Sequence, residues 1–194
     1  YCDGRNSLRR RSAQTALYLI VDAMARMYAP ILPFTCDEIW QAMPHRTGDD
    51  TRNIVLNEMV KPYADYALNA DEMDKWDTLI ALRSDVNSVL EAARADKRIG
   101  KALEAHVTLS RHEALEAATR TMDLAELFLV SDVAWGEPEE GALTGTGSSF
   151  ESVTIGVSEA KGTKCPRCWM HSTKANAEGL CPRCAAVVAE LELN

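Results

Sequence analysis

Apolar residues recur at helical spacing from Leu8 to Tyr28, at Ala13, Ala16, Leu17, Ile20, Val21, Met24, Met27 and Tyr28. That period predicts an amphipathic helix, stopped by Pro30 and Pro33. Thr35-Cys36-Asp37-Glu38 reads as a capping box, with Thr35 at the cap and Glu38 three residues on. It predicts a short helix through Ile39, Trp40 and Met43, then a polar loop from Pro44 to Arg52. The run Ile54-Val55-Leu56, within Asn53 to Glu58, predicts a short strand. A second long helix is expected from Asp71 to about Ala95. Its buried stripe is Met73, Trp76, Leu79, Leu82, Val86, Val89, Leu90 and Ala93. The basic turn Lys97-Arg98-Ile99-Gly100-Lys101 closes it, with Gly100 suited to a left-handed cap.

The pattern then changes period. Ala105 to Ser110 alternates, with Val107 and Leu109 on one face, as a strand does. His112 to Arg120 reads as helix, Phe128 to Trp135 as strand, and Val153 to Val157 as a final strand. Gly136 to Ser149 is rich in Gly, Glu and Ser and reads as a surface loop or linker, with Gly145-Thr146-Gly147 flexible. The pattern describes an α+β chain, mainly α: a helical first half, a small mixed α/β middle, and a cysteine-bearing end. The expected divisions are 1–96, 97–160 and 161–194. No stretch approaches the roughly eighteen apolar residues that a membrane span requires.

With 194 residues and 46% hydrophobic content, the chain can bury a real core. It opens on Tyr1 rather than Met and reads as a piece of a longer protein, in which a targeting peptide is neither found nor excluded. The formal charge of −8 argues against a nucleic-acid partner when taken as a sum. Its distribution changes that picture. Residues 1–12 hold Arg5, Arg9, Arg10 and Arg11 against Asp3. Residues 94–101 hold Arg94, Lys97, Arg98 and Lys101 against Asp96, and 161–184 hold Lys161, Lys164, Arg167, Lys174 and Arg183 against Glu178. An acidic body with basic patches suits local nucleic-acid binding. Scattered solvated charge is the plainer reading of any one patch.

Cys165-Pro166-Arg167-Cys168 and Cys181-Pro182-Arg183-Cys184 stand twelve residues apart. Each CxxC turn lets two thiolates converge on one ion, and two such turns complete a tetrahedral S₄ site. S₄ favours zinc. All four positions are protein ligands, so the ion is structural and not catalytic. A helix from about Ala185 to Leu191 places the second pair at its N-terminus, where backbone N–H groups favour thiolate. The redox alternative requires a βαβ setting that the pattern does not offer. Cys2 and Cys36 read as free thiols of a reducing compartment.

Trp169 follows Cys168 directly. Spacing alone leaves it open between packing under the metal turn and standing exposed among Arg167, His171 and Lys174, where it could stack on a base. Arg9, Arg10 and Arg11 fan across about 200° of a helix, so at least one faces solvent. Near a helix start they oppose the dipole, which hints at phosphate binding. His45, His106, His112 and His171 lack any nucleophile motif and read as surface or packing residues. No GxSxG, HExxH or phosphate loop occurs.

Several of these segments together resemble one family. Tyr1-Cys2 and Leu8-Arg9-Arg10-Arg11-Ser12-Ala13-Gln14-Thr15-Ala16-Leu17-Tyr18 resemble a helix in the anticodon-binding domain of bacterial-type isoleucyl-tRNA synthetases. Leu32-Pro33-Phe34-Thr35-Cys36-Asp37-Glu38-Ile39-Trp40 is similar to an element of class I synthetases for aliphatic amino acids. Lys97-Arg98-Ile99-Gly100-Lys101-Ala102-Leu103-Glu104-Ala105 resembles the isoleucyl branch, with Ala102 departing at a Ser position. The two Cys-Pro-Arg-Cys turns with Trp169 resemble that branch's C-terminal zinc finger, which is also similar to that of formamidopyrimidine-type DNA glycosylases.

The resemblance implies part of a class I helical anticodon-binding bundle, a small α/β junction and a Cys₄ zinc finger. It implies one structural Zn²⁺ on Cys165, Cys168, Cys181 and Cys184. It implies RNA contacts from Trp169, Arg167, Lys174, Arg183, Arg9, Arg10, Arg11, Lys97, Arg98 and Lys101. The partner implied is isoleucine tRNA, for a cytoplasmic, monomeric ligase of protein biosynthesis. The family's His-Ile-Gly-His and Lys-Met-Ser-Lys-Ser signatures are absent from the chain. ATP and Mg²⁺ therefore belong to a catalytic domain, and the chain carries no catalytic residue. The alternative is a stand-alone zinc module for DNA binding or structural interaction.

Overall fold

A computed structural model describes residues 2–192; Tyr1, quoted above, lies outside them. The chain divides into two compact units, one from Asp3 to Ala67 and the other from Leu68 onward together with Cys2.

In the first unit, α1 spans Leu8–Tyr28, as the period predicts. The Ser7 side chain caps it by accepting the Arg10 N–H at 3.2 Å. Its apolar stripe is largely open: Leu17, Ile20 and Met24 are 62%, 53% and 49% exposed. The buried face instead carries Asp22 and Ala25. Helix α2 spans Pro33–Ala42, one turn earlier than the capping-box reading, with Leu32 at the cap. Pro33 explains the difference: it lacks an N–H and its fixed φ suits the first helical position, so no side-chain cap at Thr35 is needed. The expected strand at Ile54-Val55-Leu56 is a one-turn 3-10 helix. The Asn53 side chain accepts the Val55 N–H, and the Asp37 carboxylate accepts the Ile54 N–H. Those donors are thereby removed from any ladder. Trp40 is fully buried beside Ala25, Ala29, Cys36 and Ile54. Above it, Asp22 takes Arg26 at 2.9 Å and Arg46 at 2.8 Å, and Arg26 reaches Asp49 at 2.7 Å.

In the second unit, α3 spans Ala70–Ala95 and opens on a capping box between Asn69 and Glu72. Leu79, Leu82, Val86, Val89, Leu90 and Ala93 are buried, as expected. Met73 and Trp76 are not: they are 47% and 41% exposed. They lie before the part of α3 that covers the sheet. The left-handed residue after α3 is Lys97 (φ 58), not Gly100. The Lys97 N–H returns to Arg94 O and the Arg98 N–H to Ala93 O, both at 3.0 Å, which is a Schellman closure.

The sheet runs β2-β1-β4-β3, from β1 (Ala105–Leu109), β2 (Asp132–Trp135), β3 (Leu143–Thr146) and β4 (Thr154–Glu159). β1 is parallel to β2 and antiparallel to β4. The crossover between β1 and β2 carries α4 (Glu113–Thr119) and α5 (Leu124–Phe128). The strand expected from Phe128 is therefore split. Phe128 ends α5, Leu129 turns left-handed at φ 59, and the strand starts at Asp132. The expected linker 136–149 contains β3. The core joins α3 to Val107, Leu109, Phe128, Val130, Ile155 and Val157.

After the sheet come β5 (Thr163–Lys164), β6 (His171–Ser172) and α6 (Pro182–Glu192). Among the described residues, no helix is long and apolar enough to cross a membrane.

Candidate metal centre

β5 and β6 pair antiparallel, and Cys165 to Met170 form the turn between them. A short hairpin thus closes around the first CxxC. The Cys165 N–H donates to Met170 O at 2.9 Å, and the Trp169 N–H to Cys165 O at 2.8 Å. To close this knuckle Trp169 adopts φ 66. The Asn176 side chain shapes the second approach, accepting the N–H groups of Glu178 and Leu180. Cys181 stands immediately before α6, and its carbonyl takes the Ala185 N–H.

The four sulfurs of Cys165, Cys168, Cys181 and Cys184 all lie within 4.8 Å of one another. Cys168 Sγ and Cys181 Sγ are 3.7 Å apart. Sulfurs about 2.3 Å from a central zinc in a tetrahedron lie about 3.8 Å apart, whereas a disulfide requires about 2 Å. The donor set therefore fits a zinc ion. Electrostatics agrees with it. Burial pushes Cys165 up, but the backbone N–H groups of Cys168, Cys181 and Arg167 outweigh that and hold the thiol down at about 6. Burial pushes Cys168 up to about 12, reinforced by the three other sulfurs. Crowded sulfurs resist sharing negative charge, and a divalent cation relieves that resistance.

Arg167 faces inward. Its guanidinium donates to Cys184 Sγ at 3.6 Å and to the Cys2 carbonyl. The Cys2 thiol in turn meets Arg167 O at 3.8 Å. Trp169 is 55% exposed, so the structure selects the open alternative over packing under the knuckle. Lys174 and Arg183 are exposed on the same module. Lys97, Arg98 and Lys101 are exposed at the end of α3. Glu104 ties that basic turn to the knuckle: one carboxylate oxygen accepts the N–H groups of Gly100 and Lys101, and the other meets Lys164 Nζ at 3.3 Å. The Lys101 N–H first, then the Lys164 ammonium and last the Gly100 N–H, hold the Glu104 carboxyl below its usual range. Arg9, Arg10 and Arg11 belong to the first unit, where Arg9 pairs with Asp3 at 3.3 Å.

Ser131 and Glu104 carry no sequence signal of a role at the site, and His171 reads from sequence only as a surface or packing residue. The Ser131 hydroxyl accepts the His171 N–H at 2.6 Å, which fixes the knuckle to the residue before β2. The two are forty residues apart, and no local spacing announces them.

Residues 1–109 match the anticodon-binding domain of tRNA ligase. Residues 162–187 match the zinc finger found in FPG and IleRS. The chain is 39% identical over 198 residues to the isoleucine-tRNA ligase of Staphylococcus carnosus, covering 98% of this chain and 20% of that protein. It is 40% identical over 200 residues to that of Desulfitobacterium hafniense, covering 98% of this chain and 21% of the relative. It is 39% identical over 200 residues to that of Syntrophotalea carbinolica, with the same coverage of 98% and 21%. The chain thus spans about a fifth of the length of the curated relatives it matches. With more than half of its length on that domain and a matching zinc finger after it, the chain belongs to the anticodon-binding domain family of tRNA ligases.

Proposed function

We propose that this chain is the tRNA-gripping portion of an isoleucine-tRNA ligase and binds the anticodon stem-loop of isoleucine tRNA. In this reading residues 1–96 are anticodon-binding domain, 97–160 a junction and 161–194 a zinc module. The whole enzyme is cytoplasmic and monomeric, and ATP and Mg²⁺ serve its catalytic domain. One zinc ion, held by Cys165, Cys168, Cys181 and Cys184, neutralises thiolate charge and cross-links the two knuckles.

The observation that carries the reading is Trp169. A large aromatic side chain is held open by a left-handed backbone inside a cross-linked turn. Left-handed backbone is unfavourable for a bulky residue, and an exposed indole gains nothing from burial. Stacking on an unpaired base rewards both costs, because such a base offers its face to a rigid ring. Lys97, Arg98, Lys101, Lys174, Arg183 and Arg9 to Arg11 supply cationic groups for phosphates. Arg167 spends one terminal nitrogen on Cys184 and Cys2 and keeps its other donors for RNA.

The test is salt-titrated binding of the zinc-loaded chain to isoleucine tRNA, valine tRNA and duplex DNA. Isoleucine tRNA should bind tightest, weaken as salt rises, and lose about tenfold or more in affinity with Trp169→Ala. Equal binding of duplex DNA, or no effect of Trp169→Ala, overturns the reading.

A further inference from the structure

Glu104 ends a one-turn 3-10 helix, Ala102–Glu104, and stands immediately before β1. Its backbone is fixed on both sides. The Glu104 N–H donates to Lys101 O at 2.9 Å, and its carbonyl accepts the Ala160 N–H at 2.7 Å. Its side chain reaches back to the basic turn. One carboxylate oxygen accepts the Gly100 N–H at 3.2 Å and the Lys101 N–H at 3.1 Å. Neither N–H has another acceptor among the described residues. The other oxygen meets Lys164 Nζ at 3.3 Å, and Lys164 directly precedes the first metal-binding cysteine. One carboxylate thus holds two segments whose nearest partners to it are sixty residues apart.

The rest of the turn is fixed as well. The Schellman closure pins Lys97 and Arg98 to the end of α3. Ile99 is 5% exposed and joins the core under α3. Arg98 Nη1 donates to Gly141 O at 2.6 Å. Lys97 and Lys101 are exposed, and neither ammonium has a partner among the described residues. Cations spread over a five-residue turn and β5 match a run of phosphates along a strand rather than one free anion.

An acid among such cations has two opposed effects. Its charge lowers the positive potential that draws phosphate. Its hydrogen bonds order the backbone that carries the lysines, so less freedom is lost when phosphate binds. The first effect acts through water and is screened within about 8 Å at physiological salt. The second acts directly, since two N–H groups lose their acceptor together when the carboxylate is removed. We infer that Glu104 is a positioning residue for the phosphate backbone of bound RNA: it holds the Lys97–Lys101 turn and Lys164 as one preformed cationic surface beside the zinc knuckle. The inference rests on the RNA-binding reading above and gives that reading a residue that acts on RNA only through its neighbours.

The experiment measures salt-titrated affinity of the zinc-loaded chain for the anticodon stem-loop RNA of isoleucine tRNA. The variants are Glu104→Ala, Glu104→Gln, Trp169→Ala, the pair Lys97→Ala and Lys101→Ala, and Glu104→Ala added to that pair. Amide hydrogen exchange is followed at Gly100 and Lys101, with Val107 as the control for an intact sheet. Glu104→Ala makes the chain one charge more positive, yet it should weaken RNA binding by about tenfold and reduce the salt slope by roughly one to two. Exchange at Gly100 and Lys101 should quicken while Val107 stays protected. Glu104→Gln has the same net charge as the alanine variant but keeps an acceptor for the two N–H groups, and it should recover most of the loss. Without Lys97 and Lys101 to position, Glu104→Ala should change affinity by no more than about twofold. If Glu104→Ala binds RNA as tightly as the unchanged chain or more tightly, or costs the same with and without the two lysines, Glu104 positions nothing for RNA. The RNA-binding reading still stands in that case if Trp169→Ala weakens binding. If the unchanged chain binds no RNA, that reading fails and the role of Glu104 fails with it.

Discussion

Asp85 sits on the apolar face of α3 and is only 3% exposed. A carboxylate there is tolerable only if donors surround it. The N–H groups of Ser148, Ser149 and Phe150 all point at its two oxygens, at 2.9 to 3.2 Å. The loop after β3 is therefore wrapped on a helix side chain more than sixty residues earlier. Gly147 permits the approach, since a Cβ there would lie 1.8 Å from the Asp85 carboxyl carbon. Asp85→Ala should lower stability by about 3 kcal/mol, because three partly buried N–H groups lose their acceptor together. Urea unfolding followed by tryptophan fluorescence measures this, and a loss below about 0.5 kcal/mol would remove Asp85 as the anchor of that loop. Nothing in the sequence marks Asp85. Its neighbours Leu82, Val86 and Val89 define the buried face by hydrophobic period, and a count of apolar residues passes over the one acid among them.

At the scale of elements, the long helices were legible to within a residue, and the residue that closes α3 was not. Periodicity over twenty or more residues averages out exceptions, so α1 and α3 fall where expected. An end depends on one or two residues. Gly100 was the evident left-handed cap, yet Lys97 takes that conformation. Gly100 has another reason to lack a side chain: its N–H donates to Glu104, and a Cβ would stand 2.9 Å from that carboxylate oxygen. β3 was hidden for a similar reason. Leu143-Thr144-Gly145-Thr146 reads as loop because Gly weakens any strand signal. Gly145 nevertheless fits, since Val89 lies 3.0 Å from where its Cβ would be and a larger residue would push the strand off α3. Lys97→Gly should relieve the left-handed cost and raise stability by roughly 0.5–1 kcal/mol. If Lys97 also contacts RNA, the same change should weaken binding while it stabilises the fold. A thermal melt paired with a binding curve separates the two effects, and a variant that melts lower contradicts the cap assignment.

At the scale of the whole chain, the metal centre was the most legible feature and its surroundings the least. Four cysteines in two CxxC turns specify a site by chemistry alone, whatever the fold around them. The groups that seat the module are dispersed: Ser131 before β2, Glu104 after α3 and Cys2 near the other end of the chain. The core differs sharply in kind between the sheet and the module. Beneath α3 the buried residues are aliphatic and aromatic and stand without any ion. In the module the buried cluster is Cys165, Cys181 and Cys184 with Leu180, and Val187 of α6 is the other buried aliphatic residue, so the ion supplies most of the core. Chelating zinc should therefore melt residues 162–187 and leave the sheet intact. In amide hydrogen exchange, protection should vanish at Cys165, Trp169 and Ala185, whose N–H groups close the knuckles and open α6. Protection at Val107 and Val157, paired in the middle of the sheet, should persist. Exchange at His171 should also quicken, because its N–H reaches Ser131 only while the knuckle is formed. Persistent protection at Cys165 and Ala185 in the chelated protein would mean that the module folds on side-chain packing and that zinc is a passenger.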